Sequence, residues 1–205
     1  MKYTIAVIPG DGIGPEVTNQ AKKALDAIAE YYDHIFIYKE AQMGACAIES
    51  TGVPLPKETI EICKSADAIL FGAIGDPKYD NSPEAKIRPE QGLLSIRKEL
   101  GLYCNIRPVK VYDKLIKNSP LKRSVIEGTD IVIYRELTGG VYFGDRSLSE
   151  DKKTAYDGCS YSVDEISKVA HLAFKEAQLR KKVVTLVDKA NVLETSRLWR
   201  KTVTE

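Results

Sequence analysis

The feature that most limits the fold is an ordered alternation, over the first hundred residues, of short β-rich runs and longer stretches of helical periodicity. Tyr3 to Pro9 alternates and is β-rich, which predicts a strand. Val17, Ala21, Ala24, Leu25 and Ile28 then recur at steps of three and four, placing one apolar face on a helix that Pro15 opens. His34 to Lys39 alternates again. The turn Val53-Pro54-Leu55-Pro56 leads into a short helix over Lys57 to Ser65, and Ala66 to Gly72 reads as a buried strand. Strand, helix, strand, helix, strand predicts an α/β fold with a mainly parallel sheet and helices on its faces.

Gly75 to Glu90 is rich in Pro, Asp, Asn and charge, and connections of that length are usually functional. Gly92 to Leu100 reads as helix, Tyr103 to Val111 as extended, and Asp130 to Leu137 as a strand that turns at Thr138-Gly139-Gly140. The polar stretch from Gly144 to Ser160 lacks periodicity and is expected to project from the body. Val163 to Gln178 is an amphipathic helix capped by Ser162, with Glu165 completing a capping box. Lys182 to Val187 reads as a strand and Leu193 onward as helix. This predicts a first α/β domain over residues 1–100 and a second over 101–205, with an arm at about 138–160. The last helix stops at Thr204-Glu205 with no glycine, proline or polar tail, so the chain reads as cut rather than finished.

Thirty basic and 29 acidic side chains leave a net charge of +1, so neither nucleic acid nor an anionic membrane is expected as a partner. An acidic ligand would have to be held by local charges. No stretch approaches the ~20 apolar residues that cross a bilayer, and the N-terminus has too short an apolar run for a signal peptide. Cys46, Cys63, Cys104 and Cys159 are scattered, with no C-x-x-C pair, as reduced thiols in the cytoplasm would be.

Three groups of residues could carry chemistry. The loop Gly10-Asp11-Gly12-Ile13-Gly14-Pro15 follows the first strand but lacks the G-x-G-x-x-G spacing, and its aspartate would repel a pyrophosphate. A tight strand-to-helix turn explains it as well. Arg97, Arg107 and Arg135 form the second group; Arg135 lies in the otherwise apolar run Ile131-Val132-Ile133-Tyr134-Arg135. Guanidinium forks match carboxylates, so three that converge would suit a diacid, whereas singly each could pair with a structural Asp or Glu. Third, Tyr142 follows the Gly-Gly turn, and Lys189 falls at the predicted C-terminal end of a strand, where open α/β sheets place ligands. They could act as proton donor and acceptor, or be a packing tyrosine and a surface lysine.

Together, Ile8-Pro9-Gly10-Asp11-Gly12-Ile13-Gly14-Pro15-Glu16, Gly92-Leu93-Leu94-Ser95-Ile96-Arg97-Lys98 and Asn105-Ile106-Arg107-Pro108 resemble the β-decarboxylating dehydrogenase family. Arg135-Glu136-Leu137-Thr138-Gly139-Gly140-Val141-Tyr142-Phe143-Gly144 and Asp188-Lys189-Ala190-Asn191-Val192-Leu193 continue the match in family order. The resemblance implies that Arg97, Arg107 and Arg135 hold the substrate carboxylates and that Tyr142 and Lys189 are the acid–base pair. It implies NAD bound without the Rossmann fingerprint, with Asp76, Pro77 and Glu90 along the cofactor and Asn191 at the nicotinamide. It also implies Mg2+ or Mn2+, and a homodimer whose arm crosses to the partner and whose lysine reaches the neighbouring site. The apolar pair Leu93 and Leu94 points to the isopropyl group of 3-isopropylmalate, oxidised and decarboxylated in leucine biosynthesis. Tartrate or malate is the alternative substrate, and a non-catalytic dimerising fragment the alternative from a different class. The family's metal-binding aspartates are expected beyond Glu205, so these residues alone are expected to bind metal poorly and turn over little or no substrate. Asp76 and Asp188 are not at the family's metal positions.

Overall fold

A computed structural model describes residues 1–80 and 86–205, which divide into two compact units, Met1–Leu100 and Gly101–Glu205. The first unit runs β1 (Lys2–Gly10), α1 (Gly14–Tyr31), β2 (Ile35–Glu40), α2 (Ala45–Thr51), α3 (Lys57–Ser65), β3 (Ala68–Ala73), α4 (Pro77–Asp80) and α5 (Pro89–Glu99). Its sheet has the order β2-β1-β3, with both pairs parallel. The periodicity that predicted the parallel α/β arrangement is therefore realised.

β1 is central, and its alternation feeds two faces. Ala6 and Ile8 join Met43, Cys63 and Ile96 in a buried cluster against which Leu55, Ile69 and Leu93 also pack. Ile5 and Val7 project from the opposite side of the strand and are also buried. α1 packs against all three strands. β3 is not the buried strand the sequence predicts: among the described residues it is an edge, and Phe71 is exposed. An apolar run cannot by itself distinguish a central strand from an edge awaiting cover. The segment after Gly75 contains α4; residues 81–85 of that predicted functional loop lie outside the described residues.

The second unit contains β4 (Cys104–Lys110), a 3-10 turn over Asp113–Asn118, α6 (Arg123–Ile126), β5 (Asp130–Glu136) and a 3-10 turn over Gly140–Tyr142. β6 (Arg146–Leu148), β7 (Ala155–Asp157), α7 (Val163–Gln178) and α8 (Glu194–Thr204) follow. β4 and β5 pair antiparallel, as do β6 and β7, which form a hairpin with every strand residue exposed. α7 packs on β5 and begins at the capping box read from the sequence: Ser162 N donates to Glu165 Oε2 at 2.7 Å, and Glu165 N to Ser162 Oγ at 3.3 Å. The strand expected over Lys182 to Val187 is absent. This stretch pairs with no strand among the described residues, and Val183 and Val187 are exposed. A β-rich run becomes a strand only where a neighbour completes its ladder. No helix among the described residues is long and apolar enough to cross a membrane.

Candidate functional site

The glycine-rich loop is a structural clasp. Gly10 sits at φ +73°, where a Cβ would fall 1.9 Å from the Ala73 carbonyl oxygen, so the chain can turn sharply against β3 only with glycine here. The turn buries Asp11, whose carboxylate accepts from the backbone N–H groups of Ala45 at 2.9 Å, Cys46 at 3.0 Å and Gly75 at 3.0 Å. One side chain thus caps the start of α2 and fastens the segment after β3. The aspartate that argued against a pyrophosphate site serves the backbone.

The second unit brings Arg107 and Arg135 together. In the β4–β5 ladder Asn105 faces Arg135 and Arg107 faces Ile133, so all four share one face of the sheet. The two arginines are diagonal neighbours, about 7 Å apart at the backbone. Arg107 Nε donates to Asn105 Oδ1 at 2.5 Å, and the Arg135 guanidinium carbon lies 5.2 Å from the centre of the Tyr142 ring. Val132, Tyr134 and Glu136 are half-buried or buried, whereas Ile131, Ile133 and Arg135 are exposed. The arginine face is therefore the open one, and two cations with a neutral amide between them can meet a dianion there. Asn105 went unassigned in the sequence although it lies in a quoted motif; only the strand register reveals its place opposite Arg135.

Three residues, Glu136, Tyr161 and Arg146, set the turn that carries Tyr142, and sequence reasoning assigned a role to none of them. Glu136 is buried, and its carboxylate accepts from Thr138 N at 2.6 Å, Gly139 N at 2.8 Å and the Thr138 hydroxyl. Gly140 is at φ +75°, with the Tyr161 hydroxyl 2.3 Å from where a Cβ would stand. Tyr161 is held edge-on against Trp199 of α8, ring centres 5.5 Å apart, and burial pushes its phenol pKa up. Beyond the turn, Arg146 Nη2 donates to the Tyr142 carbonyl at 2.6 Å. The signal for Glu136 was its parity: it belongs to the covered set of an alternating strand, where a carboxylate must find donors.

Lys189 sits not at a strand end but in a turn leading into α8. Its carbonyl accepts from Val192 N and Leu193 N, both at 3.0 Å, and its own N–H donates to Ser196 Oγ at 3.1 Å. Asn191 lies within the same turn. Asp188 braces it, accepting from Ala190 N at 3.1 Å and from both Nε and Nη2 of Arg200, at 3.0 and 2.7 Å. The hydrogen-bonded Arg200 guanidinium holds the Asp188 carboxyl below the usual aspartate range. Asp188 is thus a brace for the turn.

In the first unit α5 presents Glu90, Leu94 and Arg97 at steps of four and three, one stripe with Leu93 beside it. Leu93 is partly committed to the core cluster; Leu94 and Arg97 are half-buried. Asp76 Oδ1 accepts from Lys78 N at 2.9 Å, which lets Pro77 begin α4, and a Cβ on Gly75 would stand 3.3 Å from Glu90 Oε1. Asp76, Pro77 and Glu90 are therefore close to one another. Among the described residues no three His, Cys, Asp or Glu side chains gather as a metal-binding group. The near-zero net charge conceals an asymmetry. Residues 1–100 carry 11 basic and 15 acidic side chains, and residues 101–205 carry 19 and 14, so the unit bearing Arg107, Arg135 and Lys189 is the cationic one.

A family model described as isocitrate/isopropylmalate dehydrogenase matches residues 4–205. The 3-isopropylmalate dehydrogenases of Clostridium acetobutylicum and Aquifex aeolicus are each 54% identical over 207 residues, covering all of this chain and 58% and 57% of their own length. The chain thus spans a little over half the length of these curated relatives. Among solved structures, an isocitrate dehydrogenase from Methylococcus capsulatus aligns with a TM-score of 0.81 at 26% identity, over 98% of this chain and 56% of its own. A β-decarboxylating dehydrogenase from Thermococcus kodakarensis in its apo form gives 0.71 at 32% identity, over 98% and 53%.

Proposed function

The chain belongs to the isocitrate/isopropylmalate dehydrogenase family, and on that premise we propose that its protein oxidises 3-isopropylmalate with NAD and decarboxylates it to 4-methyl-2-oxopentanoate, a cytoplasmic step of leucine biosynthesis. The observation that carries the reading is the open β4–β5 face, where Arg107 and Arg135 lie as diagonal neighbours with Tyr142 against the second. Two fixed cations on one face suit a ligand with two carboxylates. Arg97 is read as a third guanidinium for the same substrate, and Leu93 and Leu94 as the apolar contact for its isopropyl group. Asp76, Pro77, Glu90 and Asn191 are read as cofactor contacts; the carboxylates suit ribose hydroxyls.

In the reaction NAD would accept the hydride from the carbinol carbon, and Lys189 is the group that would take the hydroxyl proton. The β-carboxylate then leaves as carbon dioxide, its electrons forming an enolate that Tyr142 protonates at carbon. The arginines hold both carboxylates during hydride transfer, orienting the carbinol, and keep the remaining carboxylate once the other has left. Mg2+ or Mn2+ belongs to the proposal as a cofactor whose ligands are not among the described residues.

The test compares substrates on this chain joined to the C-terminal remainder of the Clostridium acetobutylicum relative. One isopropyl group buried against leucines contributes about 2 kcal/mol, a preference of roughly thirtyfold in kcat/KM. Isopropylmalate should therefore exceed malate and tartrate by about that factor; equal or faster turnover of either competitor would refute the choice of substrate.

A homodimer formed through the β6–β7 hairpin is part of the same proposal. The hairpin has two short strands, too few to be stable alone, and Leu148 and Tyr156 stand exposed on it. Sedimentation should give twice the mass of the chain, and Leu148→Asp with Tyr156→Asp should return it to a monomer. A wild-type monomer at micromolar concentration would remove the dimer from the account.

A further inference from the structure

The Arg146 side chain fastens the base of the β6–β7 hairpin to the Tyr142 turn. Arg146, the first residue of β6, donates from Nη2 to the carbonyl oxygens of Tyr142 at 2.6 Å and Val141 at 3.3 Å. Its Nε lies 3.7 Å from Oδ1 of Asp157, its ladder partner and the last residue of β7. The backbones at this point are also drawn together. Gly158 N donates to the Asp145 carbonyl at 2.8 Å, and a Cβ on Gly144 would fall 2.0 Å from the Gly158 carbonyl oxygen. One guanidinium therefore spans both hairpin strands and the turn.

Further anchors of the turn come from the body of the unit, among them the Glu136 carboxylate at Thr138 and Gly139, the Ser160 carbonyl that accepts from Gly140 N at 2.8 Å, and the Tyr161 ring against Gly140. Arg146 holds it from the hairpin. A guanidinium is planar and offers five donors in fixed directions, so it can satisfy two carbonyls and a carboxylate without rearranging. A displacement of β6 carries those donors away from the turn, and the turn either follows or loses its bonds.

We propose that Arg146 is a positioning residue that couples the placement of the β6–β7 hairpin to the placement of Tyr142. Its consequence for catalysis rests on the reading of Tyr142 as proton donor; the coupling itself does not. If the hairpin docks on a second copy of the chain, that docking fixes where Tyr142 stands.

The test is fluorine NMR of the 205-residue chain labelled with 3-fluorotyrosine, the Tyr142 signal being the one lost in Tyr142→Phe. Arg146→Ala should shift or broaden this signal while tyrosines outside the hairpin keep theirs, and Arg146→Lys should restore part of the wild-type position. Asp157→Asn, which removes only the far anchor of Arg146, should move the Tyr142 signal in the same direction by less. A Tyr142 signal unmoved in Arg146→Ala, or moved there but not in Asp157→Asn, would overturn the coupling. Should Arg146→Ala lose its overall dispersion, the Asp157→Asn result decides alone. The reading of Tyr142 as proton donor is separately at stake in decarboxylation by Tyr142→Phe, so either can fail while the other stands.

Discussion

Replacing Asp11 by alanine should destabilise the first unit by about 3–4 kcal/mol, a large share of the roughly 5–15 kcal/mol that holds a domain folded. The carboxylate is buried and accepts three backbone N–H bonds at 2.9–3.0 Å, from Ala45, Cys46 and Gly75. Bonds to a charged acceptor contribute about 1.5–3 kcal/mol each, but three that share one group do not add fully. Alanine also strands donors that have little access to water. Asparagine keeps one acceptor oxygen and brings an NH2 group that cannot accept, so Asp11→Asn should cost about 2 kcal/mol. Urea unfolding followed by circular dichroism reads both effects as drops in midpoint, largest for alanine. A loss under about 1 kcal/mol in Asp11→Ala would mean that the three donors find other partners and that the loop is not held by this residue.

Replacing Arg135 should have the largest effect on the proposed activity. Arg135→Lys keeps the charge but loses the fork, and should raise KM for the diacid about tenfold, the equivalent of one charge-assisted bond of roughly 1.4 kcal/mol. Arg135→Ala should cost about a hundredfold or more in kcat/KM, because it also removes the cation standing 5.2 Å from the Tyr142 ring. Arg107→Lys should resemble Arg135→Lys, since the two share one face of the β4–β5 ladder. Steady-state kinetics on the chain completed with its relative's C-terminal remainder separate the possibilities. An unchanged KM in Arg135→Lys would return this arginine to a structural role, whatever happens to stability.

What the sequence made legible depended on whether the deciding interaction was local. The α7 boundaries were readable to the residue because Ser162 and Glu165 cap one another within a single turn. The parallel sheet was readable because β1, α1 and β2 each carry their own periodicity. Lys182 to Val187 failed as a strand for the converse reason: a ladder needs a partner, and a β-rich run does not reveal whether one is present. α2 passed unnoticed because its seven residues are capped by Asp11, 34 positions earlier.

The site divides the same way. Arg107, Arg135 and Tyr142 could be picked out as residue types, but their adjacency comes from strand register and from a turn shaped by Glu136 and Tyr161, neither visible in one-dimensional spacing. Lys189 does not stand at a strand end as its sequence predicts; the Asp188–Arg200 pair gives its turn shape instead. The net charge does not reveal the difference between the units, because a sum over the chain cancels an acidic first unit against a basic second.

Hydride and carbon dioxide are the two quantities that bear most directly on this assignment. With the completed chain, 3-isopropylmalate, NAD and Mg2+, reduced NAD and carbon dioxide should appear in equal amounts, and Arg135→Ala should lower both rates together. Reduced NAD without carbon dioxide, or no reduction with this diacid at any concentration, would contradict the account.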